Sequence, residues 1–447
     1  MPELSAGDTA WVLASAALVL LMTPGLAFFY GGMVRAKSVL NMLMMSFVTI
    51  GIVSVLWVLY GFSVSFGDTG NGFWGGLSLV GLGEAIGQLA LNGGVYPIPM
   101  LAFAMFQLMF AIITPALISG AIADRAKFVA WGTFVALWVT LVYFPVAHWV
   151  FDFGDDELGG SGDGWLAGLG VLDFAGGTAV HINAGAAALA LAIVLGRRIG
   201  WRQEPMKPHS LPLVMLGAAL LWFGWFGFNS GSALGASQLA AVAFTNTMVA
   251  TATAVLGWLL VERIRDGHPT SLGAASGAVS GLVAVTPACA FLAPWAAVLL
   301  GLLAGAICAL AVGLKWRLGY DDSLDVVGVH LIGGLVGCLY LGFFATTAVN
   351  ELGRDGLFYG GGLALLIDQA TGAFSVMLYS FILALILGFV IQKTIGFRVT
   401  DEIEISGIDL AEHAETGYDL STVGGGSVPA SRPQPLDAAA TQRSVNA

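Results

Sequence analysis

Val180-His181-Ile182-Asn183-Ala184-Gly185 and Val329-His330-Leu331-Ile332-Gly333-Gly334 set a histidine in two small-residue frames, each inside a stretch long and apolar enough to cross a bilayer. An imidazole at that depth leaves its nitrogens unsatisfied unless a partner or a water path meets them, so ionisable groups there mark routes for solutes or protons. One such histidine falls in each half of the chain. The pair predicts a duplicated pore lined by paired imidazoles.

The surrounding sequence is that of a polytopic membrane protein. Of 447 residues, 57% are hydrophobic and 10% charged, and the mean hydropathy is +0.86, far from a soluble domain. A helix needs about 20 apolar residues to span the hydrocarbon core. About eleven such runs occur, centred near residues 22, 54, 110, 138, 184, 220, 250, 280, 304, 337 and 382. The expected fold is all-α, with about eleven transmembrane helices.

Basic residues orient the spans. Fourteen of the 17 Lys and Arg fall in alternate short loops or just after the last span, among them Arg35, Arg125, Lys127, Arg197, Arg198, Arg202, Lys315 and Arg398. Those loops are cytoplasmic by the positive-inside rule. Arg354 lies in the opposite set, where Asp152, Asp155, Asp156, Glu157, Asp163 and Glu351 crowd. The N-terminus is then outside and the C-terminus inside, which requires an odd number of spans. Residues 1–10 carry Glu3 and Asp8 and no positive region, so the first apolar run reads as a retained helix rather than a signal peptide.

The histidine spans are the fifth and tenth. Five plus five plus one makes the second unit enter from the opposite side, an inverted repeat with its site near the midplane. The expected division is a transmembrane domain over residues 1–396, with repeats at about 9–197 and 209–350 and a last helix at about 373–393. A polar tail follows at 397–420, and a Gly/Ser/Pro/Ala-rich segment at 421–447 reads as disordered.

Several function classes are excluded or left without support. The net charge of -11 disfavours nucleic acid. The outer acids either concentrate cations at a pore mouth or form a solvated loop. Cys289, Cys308 and Cys338 are odd in number and lie in or near spans, so they imply no disulfide framework. His148, His209, His268 and His413 lack Cys or carboxylate at ligand spacing, so neither metal nor soluble cofactor is implied. An ion-coupled amino-acid symporter would need coordinating carboxylates, and the only acids near the core are Asp173 and Asp325 at predicted ends.

Aromatic residues gather where a pore would open. The run Leu221-Trp222-Phe223-Gly224-Trp225-Phe226-Gly227-Phe228-Asn229-Ser230-Gly231-Ser232 ends the sixth span, and Phe106-Gln107-Leu108-Met109-Phe110 lies within the third. Such rings serve as an interfacial belt or as a cage that holds a cation by its ring faces, worth about 2 kcal/mol when desolvated.

The segment Asp173-Phe174-Ala175-Gly176-Gly177-Thr178-Ala179-Val180-His181-Ile182-Asn183-Ala184-Gly185 closely resembles the signature of the Amt/MEP/Rh ammonium transporters. So do Ala27-Phe28-Phe29-Tyr30-Gly31-Gly32-Met33-Val34-Arg35, Trp225-Phe226-Gly227-Phe228-Asn229 and Asp325-Val326-Val327-Gly328-Val329-His330. The resemblance runs from about residue 9 to 420, on the Amt side of the family. It implies transport rather than enzymic catalysis, in a multi-pass protein of the cell (inner) membrane. It also implies a homotrimer with one pore per subunit.

Residue by residue, the resemblance makes Phe106, Ser232 and Phe228 an outer ammonium-recruitment site, and Phe110 with Phe228 a stacked gate. It makes His181 and His330 the twin pore histidines with Trp225 beside them. Asp173, near the outer vestibule, is expected either to cap a helix or to act in recruitment by its charge. Phe151 stands where well-known bacterial members carry tryptophan and offers a cation a weaker ring face. Trp149, two residues earlier, is expected to point elsewhere.

The implied chemistry follows from solvation. A bare ammonium ion in an apolar pore faces an idealised cost of tens of kcal/mol, neutral ammonia only that of a small polar molecule. Potassium has no proton to shed and is rejected. A desolvated, hydrogen-bonded imidazole pair holds one shared proton more readily than two charges. If ammonia and proton both cross, transport of ammonium or methylammonium is electrogenic; if ammonia alone crosses, the pore is a passive gas channel. A sensor with little flux is a further alternative. Gly396-Phe397-Arg398-Val399 and Gly407-Ile408-Asp409-Leu410-Ala411-Glu412-His413-Ala414-Glu415-Thr416-Gly417-Tyr418 resemble the family's regulatory tail, implying docking on a neighbouring subunit and a PII-type partner.

Overall fold

The computed structural model describes residues 3–67, 71–90, 96–155, 160–161, 164–204 and 206–418. The outer acids Asp156, Glu157 and Asp163 and the segment expected to be disordered, 421–447, lie outside these residues.

Helices dominate. They are α1 (Ala6–Met33), α2 (Ala36–Phe66), α3 (Met100–Ile122), α4 (Phe128–Phe151), α5 (Gly177–Leu195), α6 (Leu211–Gly231), α7 (Gln238–Arg265), α8 (Ser271–Val285), α9 (Pro294–Leu318), α10 (Val327–Phe344) and α11 (Ala364–Thr394). Ten of these are long and apolar enough to cross a membrane. The exception is α8, whose 15 residues reach only about 22 Å at 1.5 Å per residue, against a core of about 30 Å. Turns buried as far as Leu292 continue its path. Two short antiparallel pairings, Leu89–Ala90 with Tyr96–Pro99 and Gly154–Asp155 with Gly160–Ser161, lie in loops. The chain is an α-helical multi-pass membrane protein.

Local signals start these helices where polar residues meet apolar runs. Ser210, Ser237 and Thr270 cap α6, α7 and α8, their side-chain oxygens accepting from the amides of Leu213, Ala240 and Gly273 at 3.4, 3.3 and 2.8 Å. The last helix begins at Ala364, ahead of the expected 373. Its early acid is neutralised: Asp368 pairs with Arg354 at 2.6 Å. Gln369, fully buried, bonds Leu172 N, Leu172 O and Cys338 O at 2.6, 2.8 and 3.2 Å.

Lipid supplies no hydrophobic drive between helices, so close approach through small residues does the packing. A Cβ on Gly217 or Gly224 of α6 would lie 2.3 Å from Phe29 N or Met22 Cγ of α1. The crossing of α5 and α10 matters most for function. A Cβ on Gly185 would lie 2.5 Å from Leu331 N, and one on Gly334 would lie 2.9 Å from Ile182 Cγ1. Each glycine stands four residues after a histidine and receives the residue next to the other histidine. The two small-residue frames are thus each other's sockets.

At the end where the basic residues gather, the loops are tied by ions. Arg198 pairs with Asp321 at 2.9 Å and Asp124 at 3.6 Å, and Arg35 pairs with Asp124 at 3.3 Å. Burial pushes the Asp321 carboxyl up, but the hydrogen bonds and charge of Arg198 outweigh it and hold the group below its usual range. The tail forms α12 (Asp401–Ser406) and α13 (Ile408–His413). Asp409 accepts from the amides of Leu40 and Asn41 at 3.0 and 2.8 Å, and Glu412 from that of Phe128 at 3.0 Å. Tail carboxylates therefore cap the starts of α2 and α4, where the helix dipole favours negative charge. Residues 397–418 thus contact the helix starts and loops of their own chain.

Candidate functional site

The face of α3 carrying Phe103, Phe106, Gln107 and Phe110 follows the i, i+3, i+4, i+7 spacing of one helix side. These four line a small recess, partly open to solvent, together with Phe151, Phe153, Phe174, Ser232 and Leu234. Four separate segments meet there. Sequence reasoning singled out Phe106, Phe110, Phe151 and Ser232 as site residues; it left out Phe103, Gln107, Phe153, Phe174 and Leu234. The helical spacing of Phe103 and Gln107 from Phe106 and Phe110 was a usable signal. Phe153, Phe174 and Leu234 come from loops and had none.

Polar groups in the recess are few. Ser232 Oγ donates to Phe228 O at 2.8 Å, which leaves the oxygen lone pairs for a donor in the recess. Trp149 turns away, its indole donating to Phe73 O at 2.8 Å. His148, fully buried, sets its ring nitrogens 3.1 Å from the carbonyls of Ser65 and Asn71 and ties the α4 end to the last turn of α2 and the loop after it.

Rings descend from the recess to the histidines. The Phe106 and Phe110 centroids are 4.9 Å apart, and those of Phe110 and Phe228 4.3 Å. His181 stacks on Phe228 at 6.1 Å, on Trp225 at 5.3 Å and on His330 at 5.3 Å, all within about 23° of parallel. Nδ1 of His181 lies 3.3 Å from Nδ1 of His330. Both rings are buried, and His181 Nε2 has no hydrogen-bond partner among the described residues. The Trp225 indole N–H is spent on Thr286 Oγ1 at 2.8 Å, which fixes that ring as an apolar wall.

Each histidine sits in a wide, π-helical turn, Gly177–Ile182 and Val327–Leu331, a form frequent at functional sites. Asp173 does not line the recess. Its buried carboxylate accepts from the amides of Gly176, Gly177, Thr178 and Ala179 at 2.9, 2.6, 2.8 and 3.1 Å. This geometry is a cap on the turn that carries His181. In the second half the comparable acid is Asp322, not Asp325: Asp322 accepts from Val326 and Val327 at 3.1 and 2.7 Å, while Asp325 pairs with Lys315 at 2.7 Å. Both capping acids precede their histidine by eight residues, a spacing that sequence reasoning overlooked.

Among the described residues no cluster of three or more His, Cys, Asp or Glu is arranged to hold a metal. The site's chemistry is that of aromatic faces, one hydroxyl and a pair of imidazoles.

A family profile described as Ammonium Transporter Family matches residues 10–418. An ammonium transporter of Mycobacterium tuberculosis (strain ATCC 25618 / H37Rv) is 57% identical over 442 residues, covering 95% of this chain and 92% of its own. The crystal structure of Saccharomyces cerevisiae Mep2 superposes with a TM-score of 0.84 at 33% identity, covering 94% of this chain and 93% of that one. A solved sensor Amt protein gives 0.81 at 30% identity, covering 91% and 98%. With matches of this extent over a helical membrane body, the chain belongs to the ammonium transporter family, a family of membrane transport proteins and not of enzymes.

Proposed function

We propose that this protein takes ammonium from the outer recess, strips its proton there, and passes ammonia along the ring column while the proton moves through His181 and His330. One observation carries the reading: the 3.3 Å contact of the two Nδ1 atoms directly below the Phe110–Phe228 pair.

The recess suits a small cation. Rings of Phe103, Phe106, Phe151 and Phe174 surround it, and ring faces attract a desolvated cation by about 1–2 kcal/mol. Ser232 Oγ, its own proton committed to Phe228 O, accepts from an ammonium N–H. Gln107 lines the same wall. Below, Phe110 and Phe228 are 2% and 0% exposed. A bare ion entering there would lose its hydration without replacement, so the neutral species passes. Potassium has no equivalent route.

The wider assembly belongs to the same reading. Eleven crossings, with α8 and its following turns as the eighth, place the N-terminus outside and the Arg/Lys-rich loops inside. The active form is a homotrimer. The acidic tail, seated on the first turns of α2 and α4, is the contact point for a neighbouring subunit and a PII-type signal protein.

The test is flux of methylammonium into proteoliposomes with charge movement recorded simultaneously on solid-supported membranes. Saturable uptake with inward charge and no potassium current is the expected result. Uptake without charge would reduce the protein to a gas channel, and binding without flux would make it a sensor.

A further inference from the structure

α6 ends at Gly231, and the chain turns toward α7 through Ser232, Ala233 and Leu234. The Leu234 amide donates to Gly231 O at 2.9 Å, closing the last turn, and Leu234 itself takes φ +54°. That is the left-handed region, which the position after a helix usually reserves for glycine and in which a bulky side chain is strained. A glycine comes next in the chain, yet Gly235 is not the residue that adopts it. Gly235 is needed for another reason: a Cβ there would lie 2.9 Å from Asp8 Oδ1.

The turn is fastened at several points. Asp8 of α1 accepts from the Ala236 amide at 2.7 Å, the Trp11 indole donates to Ser230 O at 3.3 Å, and Ser230 Oγ donates to Ala240 O of α7 at 2.7 Å. Backbone strain persists where the surroundings over-determine it, and it concentrates at ligand sites. Here the strained residue is 6% exposed and lines the outer recess together with Ser232, two residues before it. Leu234 differs in kind from the phenylalanines around it. Ring faces attract a cation, whereas an aliphatic side chain offers an N–H no partner and only takes up room.

We propose that Leu234 is a size filter: its side chain limits the recess to ammonium and methylammonium and excludes dialkylammonium ions. The inference rests on the reading of the recess as the recruitment site. An ion that donates one N–H to Ser232 Oγ presents its remaining substituents to the walls, one of which is Leu234. Hydrogens fit against that wall, and added methyl groups compete with it for space. The strain in the turn then has a use, since it holds a bulky group in the recess where glycine would leave room.

Methylammonium uptake by the full-length protein in proteoliposomes, competed by ammonium and by dimethylammonium, tests it. The ratio of the dimethylammonium to the ammonium inhibition constant should fall about tenfold in Leu234→Gly and in Leu234→Ala, from roughly fourfold for each methyl group given apolar room. Leu234→Met, which conserves volume, should keep the wild-type ratio. Thermal melting supplies a second readout: Leu234→Gly should melt above Leu234→Ala although it removes more side chain, because glycine alone accepts the left-handed backbone without strain. The glycine variant serves if the alanine variant fails to assemble. Ser232→Ala separates the two levels of the argument. If it weakens competition by ammonium while the Leu234 variants leave the ratio unchanged, the recess recruits ammonium and the filter is overturned. If neither Ser232→Ala nor the Leu234 variants alter competition, the recruitment site is overturned and the filter with it.

Discussion

Nδ1 of His181 and Nδ1 of His330 face each other at 3.3 Å, so one ring nitrogen donates and the other accepts. A single proton therefore sits in the contact at any time. When His181 accepts, its proton lies on Nε2, which is buried and unpartnered among the described residues. Exchanging tautomers moves a proton across the pair. Replacing His181 or His330 by Ala should remove electrogenic transport or admit hydrated ions. Wild-type currents with unchanged discrimination against potassium in both variants would refute the assigned path.

The recess wall offers a second prediction. Phe151→Trp enlarges the ring face presented to the cation and should tighten apparent ammonium affinity by no more than about tenfold, if cation–π strength rises by roughly 1 kcal/mol. Competition of methylammonium against ammonium in uptake assays measures this. Unchanged affinity would remove Phe151 from the recruitment site.

The socket at Gly185 makes a third. Gly185→Ala sets a Cβ 2.5 Å from Leu331 N, and overpacking of this kind costs about 1–3 kcal/mol. Because the same crossing seats His330, transport should fall along with thermal stability. Gly51→Ala is the control: nothing lies within 4 Å of its Cβ, so stability should hold or rise by up to about 1 kcal/mol, the helix preference of Ala over Gly.

Asp322 makes stability depend on pH. Burial, with Asp325 adding to it, outweighs Lys315 and the amides of Val327 and Val326 and lifts its carboxyl from 3.8 to about 6. The folded protein then holds this proton more tightly than the unfolded chain, so stability falls as pH rises between about 4 and 6 and is level above. Asp322→Asn should abolish that slope, measured as melting temperature across the window. Asp321 has the opposite sign: lying below its usual range beside Arg198, it contributes fully above about pH 4 and loses its effect only in stronger acid.

The tail gives the last prediction. Truncation after Lys393 removes the carboxylates that cap α2 and α4 and should impair uptake and abolish PII capture. Truncation after Ser421 should leave both nearly intact. Side-by-side uptake and pull-down decide it, and identical behaviour of the two truncations would strip residues 394–421 of any regulatory part.

Much of this protein was legible in one dimension. Apolar runs of spanning length, charge placed at their ends, a histidine in each half and a glycine four residues after each are local patterns. Bilayer physics reads local patterns directly, because every spanning segment must satisfy its own backbone within a helix. The Phe103, Phe106, Gln107 and Phe110 face was equally readable from helical spacing.

Only the tertiary structure decided what those residues meet. His181 and His330 are 149 positions apart, and no periodicity says that their Nδ1 atoms touch; that follows from the reciprocal seating of Leu331 on Gly185 and Ile182 on Gly334. The recess draws on Phe153, Phe174 and Leu234, loop residues whose composition carries no signal. Asp173, an acid beside a pore mouth in sequence, is taken up by four amides in the fold. A carboxylate acts on whichever charges and donors surround it, and those neighbours are chosen by packing between distant segments rather than by order along the chain.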